Sequence, residues 1–301
     1  MSARRRRGPG PVAIVGAGRA GLALGGALRR AGVPLAGVVA RRSSSARRAR
    51  RLLRIPAAAT TLEGAIGPAR IVLLCVPDDA LRDAAAALAR LPMRGKVILH
   101  VSGAQGIAPL AILRRRGARV GAMHPLYSFA PAGARAPSLT GTAFAVDGDE
   151  AASRAARALV RALGGHPLRV SGARRAAYHL AASIVANDLT ALLDLGFSLL
   201  ARRLAMSRAN ASRALLPLAR ASMENVSRYG ARRGLTGPAA RGDARTLAAH
   251  LAVLAKEPAL LDAVHRALSI HAVAMSADSG RLDAKTAAVL RRLLQKNRRS
   301  H

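Results

Sequence analysis

Six residues near the start of the chain, Gly16-Ala17-Gly18-Arg19-Ala20-Gly21, restrict its fold more than any other feature. They follow the short apolar run Val12–Val15 and open a stretch of helical periodicity, Leu22–Arg30. In that context the pattern predicts a strand, a tight turn and a helix. Gly16 allows the turn, Gly18 lets a ligand approach the backbone, and Gly21 lets the helix pack closely on the strand. The first N–H groups of the helix, with the positive end of its dipole behind them, then face a diphosphate. A glycine-rich turn without a ligand would carry the same letters; the strand before it and the helix after it favour the phosphate reading.

Beyond this loop, apolar runs and helical stretches alternate. Leu35–Ala40, Ile71–Val76, Lys96–Val101 and Arg119–Met123 read as strands, and Ser45–Leu53, Asp78–Ala89 and Ile107–Arg115 as helices, with Asp78 or Asp79 available as an N-cap. Such alternation predicts a parallel sheet with right-handed crossovers. Thr142–Val146, a helix over Ala151–Leu163 and a strand His166–Val170 continue it. After Gly172 strand-like runs stop and helical periodicity dominates from Arg174 to Leu294, with breaks expected at Pro217, around Gly230–Gly242 and near Pro258. The fold class is therefore α/β, with three parts: a flexible basic tail over 1–10, a Rossmann-type dinucleotide-binding domain over 11–171, and an all-helical domain over 172–301.

The end of the second strand sets the choice of cofactor. NAD-binding domains place an acid there for the ribose 2′-hydroxyl, whereas this chain has Arg41-Arg42-Ser43. A carboxylate would repel a 2′-phosphate; guanidinium groups and a hydroxyl bind one through charge-assisted hydrogen bonds. The reading is NADP(H), held by Gly16, Gly18, Arg19, Ala20 and Gly21, by Arg41, Arg42 and Ser43, and by the Val76-Pro77 backbone beside the nicotinamide ribose. The missing acid is the stronger half of the argument, because arginine is abundant throughout.

That abundance gives a net charge of +34, from 49 basic and 15 acidic residues. Lysine occurs only at Lys96, Lys256, Lys285 and Lys296, and the Arg/Ala/Gly/Leu bias fits the codon usage of a GC-rich genome as well as it fits a functional polycation. Three Phe, three Tyr and no Trp offer little base stacking, so no specific nucleic-acid partner is expected. Cys75, the single cysteine, excludes an internal disulfide and fits a reducing compartment. No apolar signal region follows the basic start, and Asn187, Asp188 and Asp194 interrupt the apolar stretch Ala181–Leu200, so the expectation is a cytoplasmic protein without a membrane span. No metal-binding spacing is present, and Cys75 reads as an inert core residue.

Four segments carry a resemblance. They are the Gly16–Gly21 loop, His124-Pro125-Leu126-Tyr127-Ser128-Phe129, Tyr178-His179-Leu180-Ala181-Ala182 running on to Asn187, and Leu235-Thr236-Gly237-Pro238-Ala239-Ala240-Arg241-Gly242-Asp243. With these the chain resembles Rossmann-like oxidoreductases that carry a C-terminal domain of unknown function 2520. These are relatives of pyrroline-5-carboxylate reductase, ketopantoate reductase and the 6-phosphogluconate and β-hydroxyacid dehydrogenases. The resemblance implies a helical second domain like that of 6-phosphogluconate dehydrogenase, a homodimer, and NADP-linked reduction of a small keto acid or imine, with ketopantoate as one candidate.

His179, Ser183 and Asn187 are spaced i, i+4, i+8, which puts three polar groups on one stripe of an Ala/Leu/Ile helix and asks for a polar cleft between the domains. In the β-hydroxyacid dehydrogenases a lysine and an asparagine sit four apart on the equivalent helix. Asn187 matches the asparagine, but Ser183 stands in place of the lysine, so His179 becomes the candidate proton donor and Ser183 a substrate contact. A core histidine capped by a carbonyl is an equal reading of His179. His124, closing the fifth strand, is a candidate to polarise a carbonyl or simply a turn residue; His100 and Ser102 close the fourth strand similarly. Thr236 and Arg241 are candidates for binding a substrate carboxylate, and Asp243 for capping the next helix. The missing lysine leaves a second reading open, a non-catalytic NADP(H)-binding sensor or scaffold.

Overall fold

The structure is a computed structural model that describes residues 9–55, 58–59, 61–129 and 136–296. Most of the basic tail expected over 1–10 lies outside the described residues. The chain divides into two compact units, 1–188 and 189–301.

The first unit is built on β1 (Val12–Val15), α1 (Arg19–Arg30), β2 (Leu35–Val39), α2 (Ser43–Leu53), β3 (Ala58–Ala59), α3 (Glu63–Ile66), β4 (Ile71–Leu74), α4 (Leu81–Leu88), β5 (Val97–His100), α5 (Ala111–Arg115), β6 (Arg119–Pro125), β7 (Ala143–Gly148), α6 (Glu150–Ala162), β8 (His166–Arg169) and α7 (Arg175–Ser183). The strands form one eight-stranded sheet in the order β3-β2-β1-β4-β5-β6-β7-β8. The order reverses beside β1, the switch point at which open α/β sheets bind ligands.

Strand residues alternate between the two faces. Val12, Ile14, Leu73, Leu99 and Phe144 join the apolar sides of α1, α2 and α6. Ala13, Val15, Val72, Leu74 and Ile98 join those of α4 and α5. Both faces are covered, which is why these strands read as unbroken apolar runs.

Several expectations are corrected. The sheet is not wholly parallel: β6 and β7 pair antiparallel, with His124 opposite Ala145. A parallel neighbour needs a crossover of a dozen or more residues, usually a helix. The described part of the link between β6 and β7 holds none. The short β3 and α3 fall in an alanine-rich stretch with no periodic signal. Neither Asp78 nor Asp79 caps α4; they form a 3₁₀ turn, Asp78–Ala80, that precedes it.

After β8 the described residues are helical: α8 (Leu189–Arg203), α9 (Arg208–Gly234), α10 (Pro238–Arg241), α11 (Ala244–Leu254), α12 (Ala259–Asp278) and α13 (Ala284–Gln295). Leu247, Val273, Leu290 and Leu294 of α11, α12 and α13 share a core. Pro217 does not break α9, which runs through it; the departure from helical geometry falls at Gly230, φ +74°. Pro258 does mark a boundary, as the N-cap of α12.

Many arginines here serve as fasteners. Arg266 grips the carboxylate of Asp262 and donates to the carbonyls of Leu294 and Lys296 at the C-terminal end of α13. Arg202 and Arg203 converge on the buried Glu257, at 2.6 Å each.

Among the described residues one helical run, Gly172–Arg203, is long and apolar enough by length and composition to cross a membrane, with mean hydropathy 1.5. Asn187, Asp188 and Asp194 do not keep it below that mark. Its N-terminal part, however, is fastened to the sheet by Arg175 and Tyr178.

Lys96 fastens the first unit in the same way. Its Nζ donates to the carbonyls of Ile66, Gly67 and Ala69, at 2.7 to 3.2 Å, closing the C-terminal end of α3. Lys96→Met should cost about 1–3 kcal/mol, since it removes three charge-assisted bonds, two of them to part-buried carbonyls. Urea denaturation measures this, with an unchanged m-value expected.

Candidate active site

Gly16 leaves β1 with φ +107°, a left-handed conformation open to glycine. Its N–H bonds Val39 O at 2.9 Å. A Cβ on Gly16 would lie 2.3 Å from the carbonyl oxygen of Cys75, and one on Gly21 only 1.9 Å from that of Gly16. Both positions are therefore closed to any side chain. Gly18 differs: nothing lies within 4 Å of its would-be Cβ. The space over Gly18 is open, and it is the N-cap of α1 without a side-chain cap. The first turns of α1 and α2 carry no acid.

Arg19 in the loop, and Arg41, Arg42 and Ser43 after β2, are exposed. Arg42 is the N-cap of α2 and Ser43 its first residue. Arg48, which the sequence analysis missed among its arginine neighbours, leans back from α2 toward the loop, with Nη2 3.5 Å from Ala17 O. Its Nε is buried without a hydrogen-bond partner. An open backbone cradle, a helix start lacking its own cap and a cation with one unpartnered N–H suit an anion with several phosphoryl oxygens. Val76 is half-buried and Pro77 exposed beyond β4, on the same sheet edge. Cys75 beneath them is buried, which pushes its thiol up to about 12 and leaves it unreactive.

A second cluster forms where β5 and β6 end. His100 is fully buried; Ser102 N–H donates to its Nδ1, so its Nε2–H donates to Gly106 O at 3.0 Å. His124 Nδ1 lies 2.7 Å from Tyr178 Oη. The rings of His124 and His179 are 6.4 Å apart. A Cβ on Gly103 would meet His179 Cδ2 at 2.6 Å and His124 Nε2 at 2.9 Å, so both imidazoles rest on that glycine.

Beneath them lies Arg175, 1% exposed. Its Nη1 donates to Ser102 O at 3.0 Å and Gly103 O at 3.4 Å, while Nε and Nη2 have no partner. Burial, and then the Arg175 charge, hold His100 and His124 down at about 4. His179 adds to the effect on His124, and His124 to that on His100, while the bond to Gly106 opposes it for His100. Burial raises Tyr178 to about 12, with Arg175 opposing. At neutral pH the cluster is thus two neutral imidazoles and a phenol beside a buried cation.

The structure brings His124 and His179 together and adds Tyr178 and Arg175, neither of which was singled out for chemistry. Ser183 and Asn187 bond each other, Nδ2 to Oγ at 3.1 Å. Asn187 lies in a π-helical turn, Ile184–Asp188, which shifts the i+8 register on which a shared stripe was expected. Thr236 and Arg241 are exposed on the second unit. Gly242 there takes the left-handed conformation, φ +78°, that ends α10, and Asp243 caps α11 by accepting from Thr246 N–H at 2.9 Å.

Residues 142–272 match the family described as a domain of unknown function, DUF2520, and residues 3–125 match the Rossmann-like domain. Over these two stretches the chain is similar to Rossmann-like proteins and to proteins that carry a DUF2520 domain. No curated protein matches its sequence. Among solved structures it is similar to a Bacteroides fragilis protein described as an NADP oxidoreductase, with TM-score 0.70 and 22% identity over 88% of this chain and 98% of that one. Protein TM1727 from Thermotoga maritima gives 0.68 and 20%, over 89% and 99%. A reductive aminase from Aspergillus terreus in complex with NADPH gives 0.56 and 18%, over 95% and 92%.

Two outcomes follow for stability. Gly18→Ala, at φ −79° with free space, should change it by less than about 0.5 kcal/mol, whereas Gly21→Ala should cost about 2 kcal/mol or more through overlap with Gly16. The histidines make stability acid-sensitive. Folded, His100 and His124 titrate near 4 against an ordinary 6.5, so as pH falls the unfolded chain takes up protons first. Stability should hold above pH 6.5 and decline between 6.5 and 4, by at most about 1.4 kcal/mol per pH unit per ring. Denaturation midpoints at pH 7.5 and 5 measure the slope, which His124→Gln should reduce.

Proposed function

We propose that the protein is an NADP(H)-dependent oxidoreductase that reduces a small keto acid or imine. The open cradle over Gly18, at a helix start with no acid in the first turn of α1 or α2, is the observation that carries this reading; Arg19, Arg41, Arg42, Ser43 and Arg48 are the groups proposed beside it. The α1 amides hold the diphosphate, and the arginines with Ser43 hold the 2′-phosphate. Bound there, the cofactor supplies a hydride. The chain's own part is to provide a proton and to orient and polarise the acceptor; His124, His179 and Asn187 are the groups proposed to orient and polarise it, with Ser183, Thr236 and Arg241 binding a carboxylate-bearing substrate. Solved structures described as an NADP oxidoreductase and as a reductive aminase with NADPH support the class.

The active form is a homodimer, in a reducing compartment such as the cytoplasm. Leu218, Met223, Val226 and Tyr229 of α9 and Leu192 of α8 are exposed. A row of apolar side chains on two adjacent helices calls for a covering surface, and a second copy supplies one of matching character. Met223→Glu with Val226→Glu should convert the dimer to a monomer in light-scattering chromatography.

Cofactor fluorescence titration tests the main proposal. NADPH should bind at least about tenfold more tightly than NADH. Arg41→Ala with Arg42→Ala should weaken NADPH by about 10- to 100-fold and leave NADH nearly unchanged, the loss expected for charge-assisted bonds. Equal affinities in the wild type would overturn the specificity. Oxidation of NADPH with ketopantoate or pyrroline carboxylates tests the reaction; binding without turnover across such acids and imines would point to a sensor or scaffold.

A further inference from the structure

Resting on that reading, we infer that Tyr178 is the proton donor of the reduction, with His124 donating a hydrogen bond to its oxygen and Arg175 stabilising the phenolate it leaves.

The geometry is specific. Tyr178 Oη lies 2.7 Å from His124 Nδ1, and the two rings meet edge to face, 5.7 Å between centroids and 88° between planes. This bond has two forms. If Nδ1 is bare, Tyr178 spends its proton on the histidine. If Nδ1 carries the proton, His124 donates, and the Tyr178 O–H is free to point at a ligand.

The second form fits the surroundings. Arg175 is an almost fully buried cation, and the hydrogen bonds it makes go to the neutral carbonyls of Ser102 and Gly103. An uncompensated buried charge favours a negative charge appearing beside it. The groups bearing on Tyr178 and His124 are Arg175 and His179 on α7, His100 on β5, and Asp147 on β7, which acts on Arg175. The one acid among these, Asp147, leaves Arg175 without a carboxylate hydrogen bond. Burial holds His124 neutral, so it does not compete as the acid. Arg175 opposes the effect of burial on Tyr178 and thus favours the ionised phenol.

The step balances. The acceptor carbon takes the hydride that the nicotinamide cofactor supplies. The Tyr178 O–H bond breaks, its proton bonds the substrate oxygen or nitrogen, and the electron pair stays on the phenolate. His124 Nδ1–H and the Arg175 charge hold that phenolate until water returns a proton. Tyr178 is the catalytic residue here, and His124 and Arg175 are positioning residues.

The ring nitrogens of His124 provide a test without substrate. In ¹⁵N NMR at pH 7, with the resonance assigned by His124→Gln, His124 should be the Nδ1–H tautomer. Tyr178→Phe should abolish that preference, and Arg175→Met should move the His124 titration upward from about 4. Arg175→Lys should restore part of the difference. A bare Nδ1 in the wild type overturns the proposal, as does a His124 titration indifferent to Arg175→Met. With ketopantoate as probe, Tyr178→Phe should lower kcat by about 100-fold or more, the usual share of a general acid, with NADPH affinity unchanged. A drop below about threefold would refute the catalytic role. Failure of the wild type to bind NADPH would instead defeat the oxidoreductase reading and leave the tautomer result standing on its own.

Discussion

The closeness of two backbones, at Gly16 and Cys75, governs the N-terminal unit. β1 lies between β2 and β4, and the chain must turn sharply off its end without touching the carbonyl of Cys75. A hydrogen in place of a side chain at Gly16 makes that turn possible, and Gly21 then seats α1 against the carbonyl of Gly16 itself. Once α1 starts there, its free amides open over Gly18. Cradle, helix position and sheet order are one consequence of steric exclusion, which is why the motif is informative only together with its strand and helix.

The two clusters illustrate different ways to use charge. Around the glycine loop the guanidinium groups are exposed, and their Coulomb energy is screened until a ligand displaces water. At the ends of β5 and β6 a single buried guanidinium acts in a drier environment on three neighbours: His100, His124 and Tyr178. One buried charge there outweighs several at the surface. Elsewhere arginines such as Arg266 and Arg281 tie helix ends and loops together. The basic composition is therefore partly structural.

Much of the fold was legible because buried parallel strands leave unbroken apolar runs, as at Ile71–Leu74 and Val97–His100. What escaped had weak local signals. β3 is two alanines, the reversal at β7 depends on a link with no periodicity, and α9 continues through Pro217 and departs from helical geometry only at Gly230. For the site, the glycine loop was visible, and His124 and His179 drew notice as histidines at strand and helix positions. Arg175 could not be found in this way. Among 49 basic residues nothing local marks Arg175 as a buried one; its role depends on the Ser102–Gly103 carbonyls, more than 70 positions away. Tyr178 was passed over for its neighbour because it faces His124 only once β6 and α7 are folded together.

The last strand of the sheet has its own consequence. His166 N–H donates inward to Thr142 O at 2.8 Å, so the next amide along β8 points outward, and that position is Pro167, which has no N–H. All four residues of β8 are exposed, and Arg169 is the other outward-facing position. A stray β-segment arriving at this border finds a missing donor and a charge. The sheet is thereby protected from runaway edge-to-edge stacking, so crowded or partly unfolded copies are steered away from fibre growth along this border.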